Sequence, residues 1–365
     1  MKTEDIKKAL RQKRKEEKLT ANDFLSTGST LLNLACTGYP ERGFAKGRYY
    51  FIVGDSISGK TWLSLTCLAE AAINNNFKNH RFIYDNGEDG ALMDIERFFG
   101  KGVADRMEAP GQEYSFTIEE FYYNVDDAIK KGKPFIYILD SMDSLSSEPE
   151  AKKFDEHKKA HRSDKDKETK GSMGDGKAKV NSSMLRRVIG RPLKESGSIL
   201  IIINQTRDNI NALPFQSKKT CSGGHALHFY TCIEMLSSVV GRIEKTFKGK
   251  KRQLGVYSKV KVKKNRINGR ERTVIIPIYN SMKSDSGFHG GIDDVGSCVD
   301  YLLDEKYWTK GDIIKAKGLG IKGSRKKIIR LIEHQSLEKD LHELVGDVWN
   351  DIEDQYTIKR KKRYE

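Results

Sequence analysis

Residues 49–61 read Tyr49-Tyr50-Phe51-Ile52-Val53-Gly54-Asp55-Ser56-Ile57-Ser58-Gly59-Lys60-Thr61, and Trp62 to Ile73 (WLSLTCLAEAAI) follow directly. The first part is an aromatic and β-branched run of the kind that forms a strand buried on both faces. The next eight residues, Gly54 to Thr61, fit the spacing GxxxxGK[ST], and the residues after them have a helical pattern. Strand, glycine-bearing turn and helix start, in that order, make a phosphate cradle. Backbone N–H groups from Gly54, Asp55, Ser56, Ile57, Ser58 and Gly59 curl around an anion, and the helix N-terminus adds its dipole. Lys60 reaches the β- and γ-phosphates, and the Thr61 hydroxyl ligates Mg²⁺.

Outward from this point, apolar β-forming runs alternate with helix-like stretches: RFIYD at Arg81 to Asp85, FIYILD at Phe135 to Asp140 and SILIIIN at Ser198 to Asn204. The pattern predicts an α/β fold with a mostly parallel twisted sheet flanked by helices. YSKVKVKKNRI and RTVIIPIY, on either side of Asn268-Gly269, predict an antiparallel hairpin. Met1 to Lys18 has helix formers but no strong apolar face, so it reads as an exposed helix or a solvated arm. Composition shifts to charged and small residues between Glu148 and Asn181, which predicts a long mobile loop, and Thr206 to Gly224 predicts a second. From Ile292 to Tyr356 the pattern is helical again, with IIRLIEH and LHELVGDVWNDI as amphipathic candidates, and the basic run Lys359 to Arg363 follows. The expected division is therefore an N-terminal helical segment at 1–27, a core at 28–291 with loops near 148–181 and 206–224, and a small α-rich C-terminal domain at 292–365.

The chain of 365 residues has a net charge of +15, which favours polyanionic partners, although lysines and arginines that only solvate the surface would give the same number. Five scattered cysteines, Cys36, Cys67, Cys221, Cys232 and Cys298, form no ligand spacing and suit a reducing cytoplasmic setting. No apolar run has the length of a membrane span, so no membrane partner is expected.

Three further residues carry candidate chemistry. Asp140 ends the strand FIYILD, where a carboxylate can reach the magnesium shell, or cap the next turn. Glu88, in YDNGED, can polarise an attacking water, with Asp85 and Asp89 competing for the role. Gln205, at the tip of SILIIIN, can contact a γ-phosphate and pass its presence into the following loop, or serve as a local capping amide.

INQTR (Ile203 to Arg207) followed by CSGGHALHFY (Cys221 to Tyr230) resembles the γ-phosphate sensor and second DNA-binding loop of the RecA recombinases. LSTGSTLLNLA before the phosphate loop, LDSMDSL at Asp140 and KVKVKKNRI downstream agree in order, so the likeness spans about Leu19 to Gly291. LTANDFL and FHGGIDDVGSCVDYLL resemble the phage UvsX branch more than the bacterial proteins, which would make the host-cell cytoplasm its setting. The resemblance implies a RecA-type core, ATP and Mg²⁺ as cofactors, and a DNA-dependent ATPase that filaments on single-stranded DNA and exchanges strands with a homologous duplex. A single-strand-binding protein and a loader are further candidate partners. It also implies that Lys60, Glu88 and Gln205 act on the nucleotide with Thr61 and Asp140 on the metal, and that Lys264 and Arg266 reach the neighbouring subunit's ATP.

Contact with DNA would come from Arg207, Phe215, Lys218, Lys219, Gly223 and Gly224 in the second loop, and from Met173 in a first loop around Ser172 to Lys179. LTANDFL would dock on an adjacent core through Phe24, unless Thr20 or Asn22 simply caps a helix start. Lys315, Lys317, Lys322, Arg325, Lys326 and Lys327 are candidates for duplex capture. Several features depart from the family pattern. YDNGED has one residue more than the usual spacing before the glutamate, Ile95 stands where an adenine-stacking tyrosine is common, 150–170 is an insertion, and the tail is basic. A ring-forming RecA-fold helicase and an ATP-binding recombination mediator are the alternatives, separable as closed rings or weak hydrolysis.

Overall fold

The computed structural model describes residues 19–88, 93–111, 113–162, 174–208, 219–280 and 290–361. Chain order begins with β1 (Phe24–Leu25), α1 (Thr30–Thr37), β2 (Phe44–Ala45), β3 (Arg48–Gly54), α2 (Lys60–Ile73), β4 (Arg81–Asp85), α3 (Ile95–Phe99), α4 (Lys101–Ala104) and β5 (Met107–Glu108). It continues with α5 (Ile118–Lys130), β6 (Phe135–Leu139), α6 (Glu148–Arg162), α7 (Gly174–Val188), α8 (Arg191–Ser196), β7 (Ile199–Asp208), β8 (Lys219–Cys221), α9 (His225–Tyr230), β9 (Ile233–Phe247) and β10 (Lys250–Asn265). The last elements are β11 (Thr273–Tyr279), β12 (Gly291–Ile292), α10 (Asp294–Asp304), β13 (Ile314–Ala316), β14 (Ile321–Gly323), α11 (Arg325–His334) and α12 (Glu338–Gln355).

One large sheet runs β12-β11-β10-β9-β3-β7-β6-β4-β5, with β8 beside β7. The pairs from β9 through β5 are parallel, and β10, β11, β12 and β8 join antiparallel. The parallel strands read as continuous apolar runs because each face has its own helical cover. Tyr50 and Ile52 of β3 meet Leu63, Leu65 and Leu68 of α2 on one face. Tyr49, Phe51 and Val53 meet Phe121 and Val125 of α5 and Leu185 of α7 on the other. The resulting α/β architecture is the expected one. The expected hairpin is also present, with β10 and β11 in register from Lys261 opposite Thr273 to Gly255 opposite Tyr279.

Two expectations need correction. Glu148 to Asn181 is not one long loop, because α6 and α7 occupy both of its ends. Ser147 N–H donates to Glu150 Oε2 and Glu148 N–H to Glu119 Oε2, which serves the open N-terminal amides of α6. Leu185 and Val188 bury one side of α7, so few anchoring residues suffice to hold two helices made mainly of polar and charged residues. Phe24 is likewise not left free to anchor on another core. It is buried in its own chain and pairs with Ala45, while Thr20 bonds Asp23 around the short 3₁₀ turn Ala21–Asp23.

The C-terminal helices form as expected, but Lys315 and Lys322 face each other across a β13–β14 hairpin not anticipated in that basic stretch. Arg270 and Arg272 clasp the buried Glu353 of α12, tying the last helix to the sheet edge. Among the described residues no helix is long and apolar enough to cross a membrane.

Candidate active site

The phosphate loop joins β3 to α2 at the C-terminal edge of the parallel strands. Gly59 takes φ +87, a backbone conformation that favours glycine, and a Cβ there would stand 2.2 Å from Ile278 Cδ1 and displace the end of that side chain. Ile57 adopts φ +64 with its side chain 76% exposed, a strained loop apex of the kind found at ligand clamps. Ser237 and Ser258 both donate hydroxyl hydrogen bonds to Ser58 O, at 2.9 and 2.7 Å, and so pin the loop to β9 and β10. Ser56 lies at the exposed outer turn.

Lys60 is buried and its Nζ donates to Gly54 O at 3.1 Å and Asp55 O at 2.7 Å. Its ammonium therefore lies across the start of the loop. Burial pulls its pKa down, opposed by the nearby carboxylates of Asp140, Glu88 and Asp55. Thr61 Oγ1 donates to Asp140 Oδ2 at 2.6 Å, and the Tyr84 hydroxyl donates to the same oxygen at 3.2 Å. Asp140 is buried, and desolvation, with Glu88 adding to it, pushes its carboxyl above the ordinary range. A hydroxyl and a half-satisfied buried carboxylate are hard oxygen donors whose cost of burial a divalent cation would relieve, so the pair fits Mg²⁺.

Glu88 and Gln205 come together. Glu88 Oε1 accepts from Gln205 Nε2 at 2.8 Å and from Ser141 Oγ at 2.6 Å, and Gln205 lies in register beside Gly54 on the neighbouring strand. Asp85 is removed from the competition: its carboxylate accepts from Ser115 N–H, Ser115 Oγ and the Tyr137 hydroxyl, wholly inside the fold. Asp89 lies outside the described residues.

Past Gln205, β7 continues into the region of the expected second loop. Thr206 Oγ1 donates to Asp55 Oδ1, and Arg207 Nη2 donates to Asp143 Oδ2 at 2.8 Å. Ser222 Oγ also bonds Asp143, so one carboxylate holds both ends of the loop. Lys219 enters as a β8 backbone position opposite Asp208, whereas Met173, Phe215 and Lys218 lie outside the described residues, as do 1–18, 163–172 and the end of the basic tail. Gly224 has φ +81, and a Cβ there would meet Ala178 of α7 at 2.6 Å. Gly223 gives its carbonyl to Asn181 Nδ2 at 3.0 Å. Both glycines thus have a packing reason of their own.

Lys264 and Arg266 do not approach this phosphate loop. They sit by the opposite end of β9, where Lys264 Nζ donates to the His228 and Phe229 carbonyls, each at 2.7 Å, and Arg266 Nη2 donates to Phe229 O at 2.6 Å. Both cations lie over the exposed Phe229 ring. Ile95 packs partly buried beside a cleft of about 270 Å³ that Tyr84 and Tyr114 also line.

Tyr84, Asp143 and Thr206 escaped the sequence reading. Strand alternation could have found Tyr84, since it must point to the opposite face from Asp85. Asp143 carries no local signal, because its partners are 64 and 79 residues away.

Residues 161–283 match the RecA N-terminal domain family. The chain is 28% identical over 314 residues to Protein RecA of Helicobacter hepaticus, covering 84% of this chain and 76% of that one. It is 26% identical over 337 residues to Protein RecA of Chlorobaculum tepidum (89% and 83% covered) and 26% identical over 353 residues to that of Colwellia psychrerythraea (93% and 89% covered).

Proposed function

We propose that this chain, similar to the RecA proteins over most of its length, is an ATP-dependent strand-exchange recombinase of that family that assembles helical filaments on single-stranded DNA and pairs that strand with homologous duplex. The observation that carries this reading is the continuous link from Gly54 through Gln205 to Arg207. A nucleotide-sensing amide and the base of a basic loop lie on one strand, two residues apart.

The loop amides from Gly54 to Gly59, with Lys60, would hold the β- and γ-phosphates of ATP, and Thr61 and Asp140 the Mg²⁺. Bound there, Mg²⁺ supplies positive charge to the phosphate oxygens during transfer. Lys60 must leave the Gly54 and Asp55 carbonyls to bind phosphate, so nucleotide entry trades internal hydrogen bonds for charge-assisted ones. Glu88 orients and polarises the attacking water, and Gln205 chooses between Glu88 and the γ-phosphate. That choice shifts the strand leading to Arg207 and couples nucleotide state to DNA contact.

Lys264 and Arg266, remote from their own phosphate loop, are suited to act on a neighbouring subunit's ATP. Exposed Phe229 beneath them supports that face as a subunit contact. Arg207, Phe215, Lys218, Lys219, Gly223, Gly224 and Met173 would meet the single strand without reading its sequence. The UvsX branch, a single-strand-binding protein and loader as partners, and a separate C-terminal domain from 292 onward belong to the same proposal.

Negative-stain microscopy with single-stranded DNA and a non-hydrolysable ATP analogue tests it, with Lys60→Ala as control. Long nucleotide-dependent filaments are expected. Closed rings would replace the recombinase with a helicase.

A further inference from the structure

Strands β9 and β10 are much longer than the sheet that holds them. β9 pairs with β3 only from Ile233 to Ser237, and β10 pairs with β11 only from Gly255 to Lys261. Beyond those limits the two strands continue together, closing at Lys248-Gly249, both with positive φ (49 and 74) as a two-residue hairpin turn requires. A two-stranded ribbon with two free edges therefore leaves the body. Because β9 is parallel to β3, it leaves past the edge that carries Gly54. At about 3.3 Å per residue, the stretch from Glu244 to Phe247 and the turn extend it by roughly 15 Å, and β9 lies two strand spacings, about 10 Å, from β7 and the Arg207 loop.

The ribbon's composition is not that of a structural hairpin. Between 241 and 253 stand Arg242, Lys245, Lys248, Lys250, Lys251 and Arg252 against one carboxylate, Glu244, a net charge of +5. Residues 244–253 are all exposed. Lys251 and Glu244 form an exposed pair at 3.7 Å, and among the described residues the other five cations make no ion pair. Register makes the arrangement costly: Lys245 lies directly opposite Arg252, and Phe247 opposite Lys250, so one face of the ribbon presents three cations and a 57% exposed aromatic. Like charges directly opposite destabilise a β-pair, and no packed core offsets the cost. A bound polyanion would offset it.

We propose that this arm is a duplex DNA contact, with Lys245, Lys250 and Arg252 on backbone phosphates and Phe247 against the groove. A two-stranded ribbon has the width that the major groove of a duplex admits, whereas a single strand needs no such ribbon. The proposal rests on the recombinase reading for its purpose: the arm brings the incoming duplex beside the strand held at the Arg207 loop.

The test uses full-length protein carrying Lys245→Ser, Lys250→Ser and Arg252→Ser, with anisotropy of a labelled 30-base-pair duplex measured over a salt series. Protein alone and protein preassembled on unlabelled single strand with a non-hydrolysable ATP analogue are both measured. Each lost phosphate contact lowers the slope of log K against log salt by about 0.9, so the triple variant should lose about 2.7 and bind duplex at least ten-fold more weakly in low salt. Each single variant should lose about one third of that. Single-strand-stimulated ATPase should be unchanged. An unaltered duplex slope overturns the proposal. So does joint loss of single-strand assembly and duplex binding, which would make the arm a subunit contact. If the wild-type chain formed no filaments, the recombinase reading would fall, while the slopes for protein alone would still decide the arm.

Discussion

Replacing Gln205 with Met keeps the length and apolar stem of the side chain but removes the amide proposed to join nucleotide to DNA loop. In the structure that amide donates to Glu88 Oε1 at 2.8 Å, a hydrogen bond to a carboxylate acceptor. Such bonds contribute about 1.5–3 kcal/mol when buried, and this one lies at the exposed mouth of the site, so about 1.5 kcal/mol is the appropriate scale. In the proposed mechanism the same donor turns to the γ-phosphate when ATP is bound, and a bond of similar size is made in one nucleotide state only. Coupling between nucleotide and DNA is the difference between states and is reciprocal. Losing about 1.4 kcal/mol of it lowers the ratio of single-strand affinity with an ATP analogue to that with ADP about ten-fold. The assay is fluorescence anisotropy of a labelled oligothymidine titrated in each nucleotide. Affinity with ADP should hardly change, because Arg207 keeps Asp143 and Thr206 keeps Asp55. A Gln205→Met protein that retained the full wild-type ratio would refute the Gly54-to-Arg207 link, whatever happened to its hydrolysis rate.

Further outcomes are expected at three places. Glu88→Gln should leave ATP affinity within a few-fold and lower kcat by 10²–10⁴, the usual range for a lost general base, while single-turnover rates of wild-type size would give the role elsewhere. Burial raises the Asp140 pKa, so the native state holds this proton more tightly than the unfolded chain does. Its stabilising contribution without metal therefore declines as pH rises from the ordinary carboxylate range through the native value, and Mg²⁺ binding should weaken as pH falls through the same window. Asp140→Asn should raise the melting temperature of the metal-free protein at pH 7 by about 2 °C, for about 1 kcal/mol, and abolish Mg²⁺-dependent turnover, as calorimetry with and without Mg²⁺ will tell. Lys264→Ala with Arg266→Ala should spare nucleotide binding but remove DNA-stimulated turnover. Mixing this variant with Lys60→Ala should restore part of it if the cations act across subunits.

Legibility of the fold followed burial. The runs at 49–53, 135–140 and 198–204 were readable because strands covered on both faces have no choice but to be apolar, and the phosphate loop because its backbone conformation needs glycine at fixed places. Asp85 illustrates the limit. In sequence it was as good a carboxylate as Glu88, and only the convergence of Ser115 and Tyr137 on it, from 30 and 52 residues away, commits it to the interior. The helices α6 and α7 are hidden in the sequence for a related reason: their composition is that of a solvated segment, and what holds them is a few distant contacts around Glu119, Asn181 and Leu185.

The β9–β10 ribbon lies beyond both kinds of signal. Its buried half, including Val260 and Val262, alternates clearly in YSKVKVKKNRI and reads as a strand, but from 244 to 253 nothing is buried and the hydrophobic period has no cause to persist. What remains there is charge and a Lys-Gly turn. Residues freed from the demands of a core are also those free to be chosen for a partner. A segment that keeps β-structure at full exposure and sets like charges opposite one another carries a cost that its own fold does not repay. The salt dependence of duplex binding is where that cost should reappear as affinity.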